Sequence, residues 1–302
     1  MIETQRKDDM KKKVTRTEKP FFSVIIPTLN EEKYLPKLLQ ALTKQTYRNF
    51  ETIVVDGHSD DKTVEKAKSF VNKLPKLKIL ISDRRNLSHQ RNLGAAEAEA
   101  DYFVFFDADV DLPVTFLQKV HAHLLREKIQ FITTWLNPDT KQTSGKVITA
   151  MYNVTIEIEK LIGKPYVHGC NTIMHRDVFF RVGGYDELLT VSEDQEFALR
   201  ASKKGVKLTI LKSPKVIFSL RRFRSEGVFS VVRKQMQANI HMMVKGRITK
   251  KLFSYEMGGH VHDRIHQNKV GNYVRSIERG QKKLLRSVVQ KAKAISKSSF
   301  YA

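Results

Sequence analysis

The chain has 302 residues, 41% of them apolar, and a formal net charge of +22. That is enough apolar material for one large α/β domain or two smaller ones, which excludes wholesale disorder. No apolar run approaches the roughly 18–20 residues of a membrane span, and the opening MIETQRKDDMKKK has no apolar stretch of the kind a secretory signal needs. The single cysteine, Cys170, excludes an internal disulfide and fits a reducing cytosol.

In chain order, residues 1–19 are charged and aperiodic and read as a flexible basic arm. Phe22–Ile26 reads as a buried strand stopped by Pro27, followed by a helix with Leu35, Leu38, Leu39 and Leu42 at helical spacing. Phe50–Val55 is a second strand, and Asp60 or Asp61 caps a helix that runs to Phe70. Leu77–Ile81 is a third strand, Ser88–Glu99 an Ala-rich helix, and Tyr102–Phe106 an aromatic strand that enters Asp107-Ala108-Asp109. Pro113–Arg126 and Val147–Ile162 read as helices, and Ile129–Trp135 and Asn171–Met174 as strands. Arg176–Val182 is a helix closed by Gly183-Gly184, and Ser192-Glu193-Asp194-Gln195 opens another that runs to Lys204. Val206–Leu211 and Lys215–Leu220 close the body as two extended segments. Strand–helix alternation of this kind describes a doubly wound α/β sheet of mostly parallel strands over residues 20–220. There is no GxGxxG after the first strand and no GxxxxGK(S/T) anywhere, which argues against a dinucleotide-binding oxidoreductase and a P-loop nucleotidase.

The charge is concentrated at one end. From Arg221 onward there are 19 Lys/Arg and 4 Asp/Glu, an excess of 15 of the 22. This 221–302 region reads as a basic helical extension. Phe229, Val232, Met236, Ile240 and Met243 recur at helical spacing, and Leu284, Leu285, Val288, Val289, Ala292 and Ile295 form one face of a basic amphipathic helix. Such a tail points to a polyanionic partner, lipid headgroups or nucleic acid.

Polar clusters fall where strands end or helices begin: Pro27-Thr28-Leu29-Asn30-Glu31, Asp56-Gly57-His58-Ser59-Asp60, Asp107-Ala108-Asp109 and Glu193-Asp194. Local structure alone accounts for each of them. Thr28…Glu31 and Ser192…Gln195 fit capping boxes, Ser59 and Asp60 fit N-caps, and Asp111 fits a cap for the helix beginning at Pro113. Local structure does not account for all of them occurring together in this order. Two carboxylates one residue apart at the end of a buried strand suit a hard divalent cation, at the edge where open α/β sheets bind ligands.

With the stretches SVIIPTLNEE, ETIVVDGHSDDKT, QRNLGAAEAEADYFVFFDADV, GCNTIMHRDVFFRVGGYDE and SEDQEFALRASKKG, the chain resembles the family 2 glycosyltransferases of GT-A fold, over roughly Phe21 to Leu220. The resemblance implies a metal-dependent, inverting transfer of a sugar from a UDP- or GDP-linked donor to a hydroxyl or lipid-phosphate acceptor, in cell-envelope glycan or glycolipid synthesis. It implies that Pro27, Thr28, Asn30 and Glu31 line the nucleoside pocket, that Asp56 accepts hydrogen bonds from the base with Ser59 beside it, and that Arg91 faces the nucleotide. Asp107 and Asp109 then form the DXD motif that holds Mg2+ or Mn2+ against the diphosphate, with Asp111 a further candidate oxygen ligand. The resemblance further implies that Asp194 is the catalytic base, with Glu193 positioning the acceptor or the base itself. His168 lies near where the acceptor side begins, and His260, His262 and His266 are late histidines for which nothing fixes a metal contact. Many relatives continue into membrane spans after this point, whereas here the basic tail implies peripheral attachment to the cytoplasmic face of an anionic membrane in preference to nucleic acid. Two other readings stay open. A sugar-phosphate nucleotidyltransferase would need a Gly-rich, Arg-containing loop that PTLNEE is not, and a non-catalytic membrane- or nucleic-acid-binding module would work through the tail.

Overall fold

The computed structural model describes residues 19–250, 252, 253, 258 and 259. Its strands are β1 (Phe22–Thr28), β2 (Phe50–Asp56), β3 (Leu77–Ile81), β4 (Tyr102–Phe106), β5 (Phe131–Pro138), β6 (Asn171–His175) and β7 (Thr209–Phe218). Its helices are α1 (Leu35–Thr43), α2 (Thr63–Lys68), α3 (Leu87–Ala96), α4 (Phe116–Glu127), α5 (Thr143–Leu161), α6 (Arg176–Val182), α7 (Glu193–Lys203), α8 (Arg221–Glu226) and α9 (Val228–Val244).

Among the described residues the strands form one seven-stranded sheet in the order β3-β2-β1-β4-β6-β5-β7. β6 runs antiparallel to both neighbours, β4 and β5, and every other pairing is parallel. The expected doubly wound, mostly parallel sheet is therefore present, with one reversed strand. A run as short as Asn171–Met174 looks the same to the sequence in either direction, and its direction follows from the path of the chain after α5.

Alternate side chains of the central strands build two cores. Phe22, Val24 and Ile26 of β1 join Val54, Val104 and Phe106 beneath the leucines of α1 and Phe116, Leu117 and Val120 of α4. Ile25, Ile53, Val55, Phe103 and Phe105 point the other way, against Ala95 of α3, Phe179 of α6 and Phe197 of α7. Strands covered on both faces read as continuous apolar runs, as these do. Each such side chain contributes about 1.5–3 kcal/mol on burial, so the two-sided packing of β1, β2 and β4 fixes the frame.

Several local expectations change. The segments Val206–Leu211 and Lys215–Leu220 belong to one strand, β7, whose register with β5 slips between Thr134 and Leu136. Pro214, which has no N–H to donate, lies in that slip, where a proline costs no ladder bond. Neither capping box forms: Thr28 Oγ1 donates to Asp56 Oδ1, and Ser192 is in the left-handed region (φ 62°) with no side-chain cap bond to α7. Asp111 does not cap α4, which begins at Phe116; its backbone pairs with Ile217. Asp61 does serve the start of α2, accepting from the Thr63 N–H at 2.9 Å. In α9 the inward side chains are Val231, Ala238 and Met242, while Phe229, Met236 and Ile240 face solvent. The N-terminal arm up to residue 18, the helix expected over Leu284–Ile295, and His260, His262 and His266 lie outside the described residues.

Candidate active site

Parallel strands deliver their C-terminal ends to one edge, so the turns after β1, β2 and β4 gather there. Thr28 is in register with Asp56, which aligns the first two turns. Reversal of β6 brings the start of that strand to the same edge: Asn171 pairs with Phe106, and His168-Gly169-Cys170 enters the cleft that Asp107 and Asp109 line.

Close approach of α3 to the sheet sets the depth of this cleft. A Cβ on Gly94 would lie 2.5 Å from Ile25 Cγ2, so only glycine permits the contact. Gln90 Nε2 donates to the carbonyls of Thr28 and Val55, both at 2.8 Å, pinning α3 to the ends of β1 and β2. The next residue, Arg91, is 1% exposed. Its Nη1 donates to Glu193 Oε1 at 2.6 Å, and its Nη2 donates to Asp107 Oδ1 at 3.1 Å and to the Gly169 carbonyl at 3.0 Å. One buried guanidinium thus fastens the acidic motif after β4 to the acidic pair that opens α7. Charge-assisted bonds of this kind are stronger than neutral ones, and with both partners present the burial of Arg91 is compensated.

A second arginine comes from the basic region. Arg221, at the start of α8, donates to Glu31 Oε1 at 2.6 Å and Oε2 at 2.7 Å, and its Nε lies 2.8 Å from Asp109 Oδ2. Its guanidinium also sits over the Tyr34 ring, 4.5 Å from the centroid. Burial pushes the Glu31 carboxyl up to about 7, with Arg221 pulling the other way. Burial likewise holds the Asp109 carboxyl above its ordinary range; Arg221 opposes this and the charge of Asp107 adds to it.

Asp194 lies in the same cleft, a space of about 310 Å3 that also takes in Asp107, Asp109, Arg91 and Arg221. Burial, reinforced by the charge of neighbouring Glu193, raises its pKa to about 7. Its Oδ1 accepts from the Gln195 N–H at 2.8 Å, and a Cβ on Gly169 would fall 2.5 Å from its Oδ2. His168, also in the cleft lining, is buried with no protein partner for Nε2, and burial lowers its pKa to about 3, so the imidazole is neutral.

The other expected residues divide into two groups. Pro27, Thr28 and Glu31 line the cleft. Asn30, Asp56 and Ser59 lie behind that wall as a bonded unit. Asp56 accepts from Thr28 Oγ1 (3.1 Å), Ser59 Oγ (2.5 Å) and Ser59 N–H (2.8 Å), and Ser59 Oγ accepts from the Asn30 N–H at 2.8 Å. Among the described residues no group of three or more His, Cys, Asp or Glu side chains is arranged to hold a metal, and the two carboxylates expected as metal ligands, Asp107 and Asp109, are bonded to Arg91 and Arg221. Sequence reasoning missed Gln90, Gly94, Gly169 and the site role of Arg221. Only Arg221 carried a signal, as the first residue of the basic run Arg221-Arg222-Phe223-Arg224, and that run gives no indication of its direction.

Comparison with known proteins places this geometry. Residues 23–183 match the sequence profile of glycosyl transferase family 2. The chain is 26% identical over 213 residues to the poly(ribitol-phosphate) beta-N-acetylglucosaminyltransferase TarS of Staphylococcus aureus (strain MW2), covering 67% of this chain and 36% of that protein. It is 30% identical over 209 residues to the dolichyl N-acetyl-alpha-D-glucosaminyl phosphate 3-beta-D-2,3-diacetamido-2,3-dideoxy-beta-D-glucuronosyltransferase of Methanococcus voltae, covering 62% of this chain and 63% of that one. The chain thus spans between about a third and two thirds of the length of these relatives. In fold it is similar to S. aureus TarS 1-349 in complex with UDP-GlcNAc (TM-score 0.56, 24% identity, 66% of this chain and 58% of that chain). It is also similar to the mannosyltransferase PcManGT of Pyrobaculum calidifontis in complex with GDP-Man and Mn2+ (TM-score 0.57, 19% identity, 79% and 71%). The profile match takes in more than half of the chain, which belongs to glycosyl transferase family 2.

Proposed function

We propose that the protein transfers a sugar from a nucleoside-diphosphate donor to an acceptor hydroxyl or lipid phosphate in envelope glycan or glycolipid synthesis, with inversion at the anomeric carbon. The observation that carries this reading is Arg91, whose guanidinium bonds Asp107 on one side and Glu193 on the other, so that two acidic groups far apart in sequence share one cleft. Relatives in fold bind UDP-GlcNAc and GDP-Man, which supports a nucleotide-sugar donor here.

Each residue then has a definite task. Pro27, Thr28 and Glu31 form the wall for the nucleoside, backed by the Asn30–Asp56–Ser59 unit that keeps the β1 turn in place. Because the Asp56 carboxylate already accepts from Thr28 and Ser59, it supports the base-binding wall through them. Arg91 and Arg221 offset the charge of the acidic groups that line the cleft, Asp107 and Glu193 for the first and Glu31 and Asp109 for the second, so that an anionic diphosphate can enter. Asp107 and Asp109 would hold Mg2+ or Mn2+. Their ionised carboxylates offer the oxygen donors that a hard divalent cation takes. Bound there, such an ion would supply positive charge against a departing diphosphate. Asp194 accepts the proton of the attacking hydroxyl, since its pKa near 7 matches the operating pH of a general base. Glu193, tied to Arg91, positions it. A base acting alone on the acceptor side leads to a single in-line displacement, hence inversion.

The test is incubation with a panel of UDP- and GDP-sugars and Mn2+, reading nucleotide release and, by NMR, the anomeric configuration of the product. Metal-dependent turnover with inversion, lost in Asp194→Asn, is the expected result. Retention of configuration, or full turnover in Asp194→Asn, would overturn the assignment.

A further inference from the structure

The helices that flank the cleft carry apolar side chains that the other described residues do not cover. On α5, Val147, Met151, Val154, Ile158 and Leu161 follow one another at intervals of three and four residues, and each is at least half exposed. On α9, Phe229, Met236, Ile240 and Val244, spaced by seven, four and four residues, are likewise at least half exposed. A single exposed leucine is ordinary, but a run of them along a helix is not. Ile148 and Tyr152 of α5 and Val231 and Val232 of α9 pack into one cluster with Leu220 and Phe223, which ties the two helices to the same part of the fold. Both also contribute to the cleft wall, Tyr152 from α5 and Lys234 and Gln235 from α9. The exposed stripes therefore border the entrance through which an acceptor would come.

The charge on these helices identifies what would cover them. Their exposed ionisable side chains, Lys146 and Lys160 on α5 and Arg233 on α9, are all cations, and Lys245 follows at the end of α9. The acids of α5 are withdrawn, Glu157 accepting from Trp135 Nε1 at 3.1 Å and Glu159 buried, and α9 has no acid. Two copies of this face would set cation against cation. A surface that is both apolar at depth and anionic at its boundary satisfies both features, and that describes an anionic bilayer. No described helix is long and apolar enough to cross a membrane, so the contact is with the surface.

We propose that the joined α5–α9 face docks the protein on an anionic lipid bilayer, with the cleft opening at the headgroup boundary. The contact surface is the folded pair of helices itself, distinct from the sequence region around Leu284–Ile295. It is independent of whether the cleft transfers a sugar.

The experiment is flotation of the full chain with phosphatidylcholine vesicles, with and without phosphatidylglycerol, at low and high salt. Wild type should float only with the anionic vesicles, and less at high salt. The variants Met151→Glu/Ile158→Glu and Phe229→Glu/Ile240→Glu should each bind about tenfold more weakly, while their melting temperatures and nucleotide-induced thermal shifts match wild type. Three outcomes would overturn the proposal. These are absence of vesicle binding, binding unchanged in both variants, and a concentration-dependent dimer in light scattering that the same substitutions abolish, which would make the face a contact between copies.

Discussion

Arg221 Nε lies 2.8 Å from Asp109 Oδ2, so the first residue of the basic C-terminal region is bonded to the acidic motif that ends β4. The same guanidinium grips both oxygens of Glu31, from the turn after β1. A residue that composition assigns to a separate charged region is in fact the counter-ion of the cleft.

Arg221→Gln should therefore cost on the order of 3 kcal/mol, because it leaves two enclosed carboxylates without their cation. Urea denaturation with and without Mn2+ measures this. Arg221→Lys should recover little of it, since an ammonium cannot reproduce a fork and an Nε bond together. A Lys variant as stable as wild type would show that charge alone holds the contact.

Gly169→Ala inserts a methyl group where Asp194 Oδ2 now sits, 2.5 Å from the position its Cβ would take. The carboxylate has to move. A displacement of about 1 Å in a reacting group costs roughly 10²-fold in rate, so kcat should fall by about that factor while donor KM barely changes. Steady-state kinetics separates the two parameters, and a raised donor KM with kcat unchanged would place the defect in donor binding.

The raised pKa of Asp194 sets the acid limb of the rate profile. The carboxyl must be ionised to accept a proton, so kcat should fall as pH drops through about 7. The stability effect has the opposite sign. Between its ordinary value of 3.8 and about 7 the folded state holds the proton more tightly than the unfolded chain, so this group makes the fold less stable as pH rises across that window. Asp194→Asn should thus raise the melting temperature at pH 8, and by progressively less towards pH 4, while turnover drops by about 10²–10⁴-fold. A melting temperature that the substitution lowers at pH 8 would mean that the buried charge is better compensated than its surroundings indicate.

Asp109→Asn tests the metal assignment without relying on turnover. In thermal-shift titrations, Mn2+ should strengthen nucleoside-diphosphate binding to wild type and leave the variant at its metal-free affinity. Equal strengthening in both would remove Asp109 from the set of metal ligands.

The frame was legible in the chain because burial on two faces leaves a simple signature. Phe22–Ile26, Phe50–Val55 and Tyr102–Phe106 are apolar without interruption, and they became β1, β2 and β4, the middle of the sheet. Asp107, Asp109, Glu193 and Asp194 were legible because acidic groups at strand ends and helix starts are local features. Their convergence was not. It depends on Gly94, which lets α3 approach the sheet, and on Arg91, which then reaches two loops at once. Local reasoning went astray where a side chain had a distant partner. Thr28 looked like a cap and bonds Asp56.

By itself the sequence determined the strand–helix alternation, the family and the acidic residues of the cleft, because these follow from hydrophobic pattern and motif within short stretches. Only the tertiary structure decided the reversal of β6, the capture of Glu31 and Asp109 by Arg221, and the cationic, apolar face of α5 and α9. Those depend on pairing and burial between residues far apart in the chain, which no local pattern encodes.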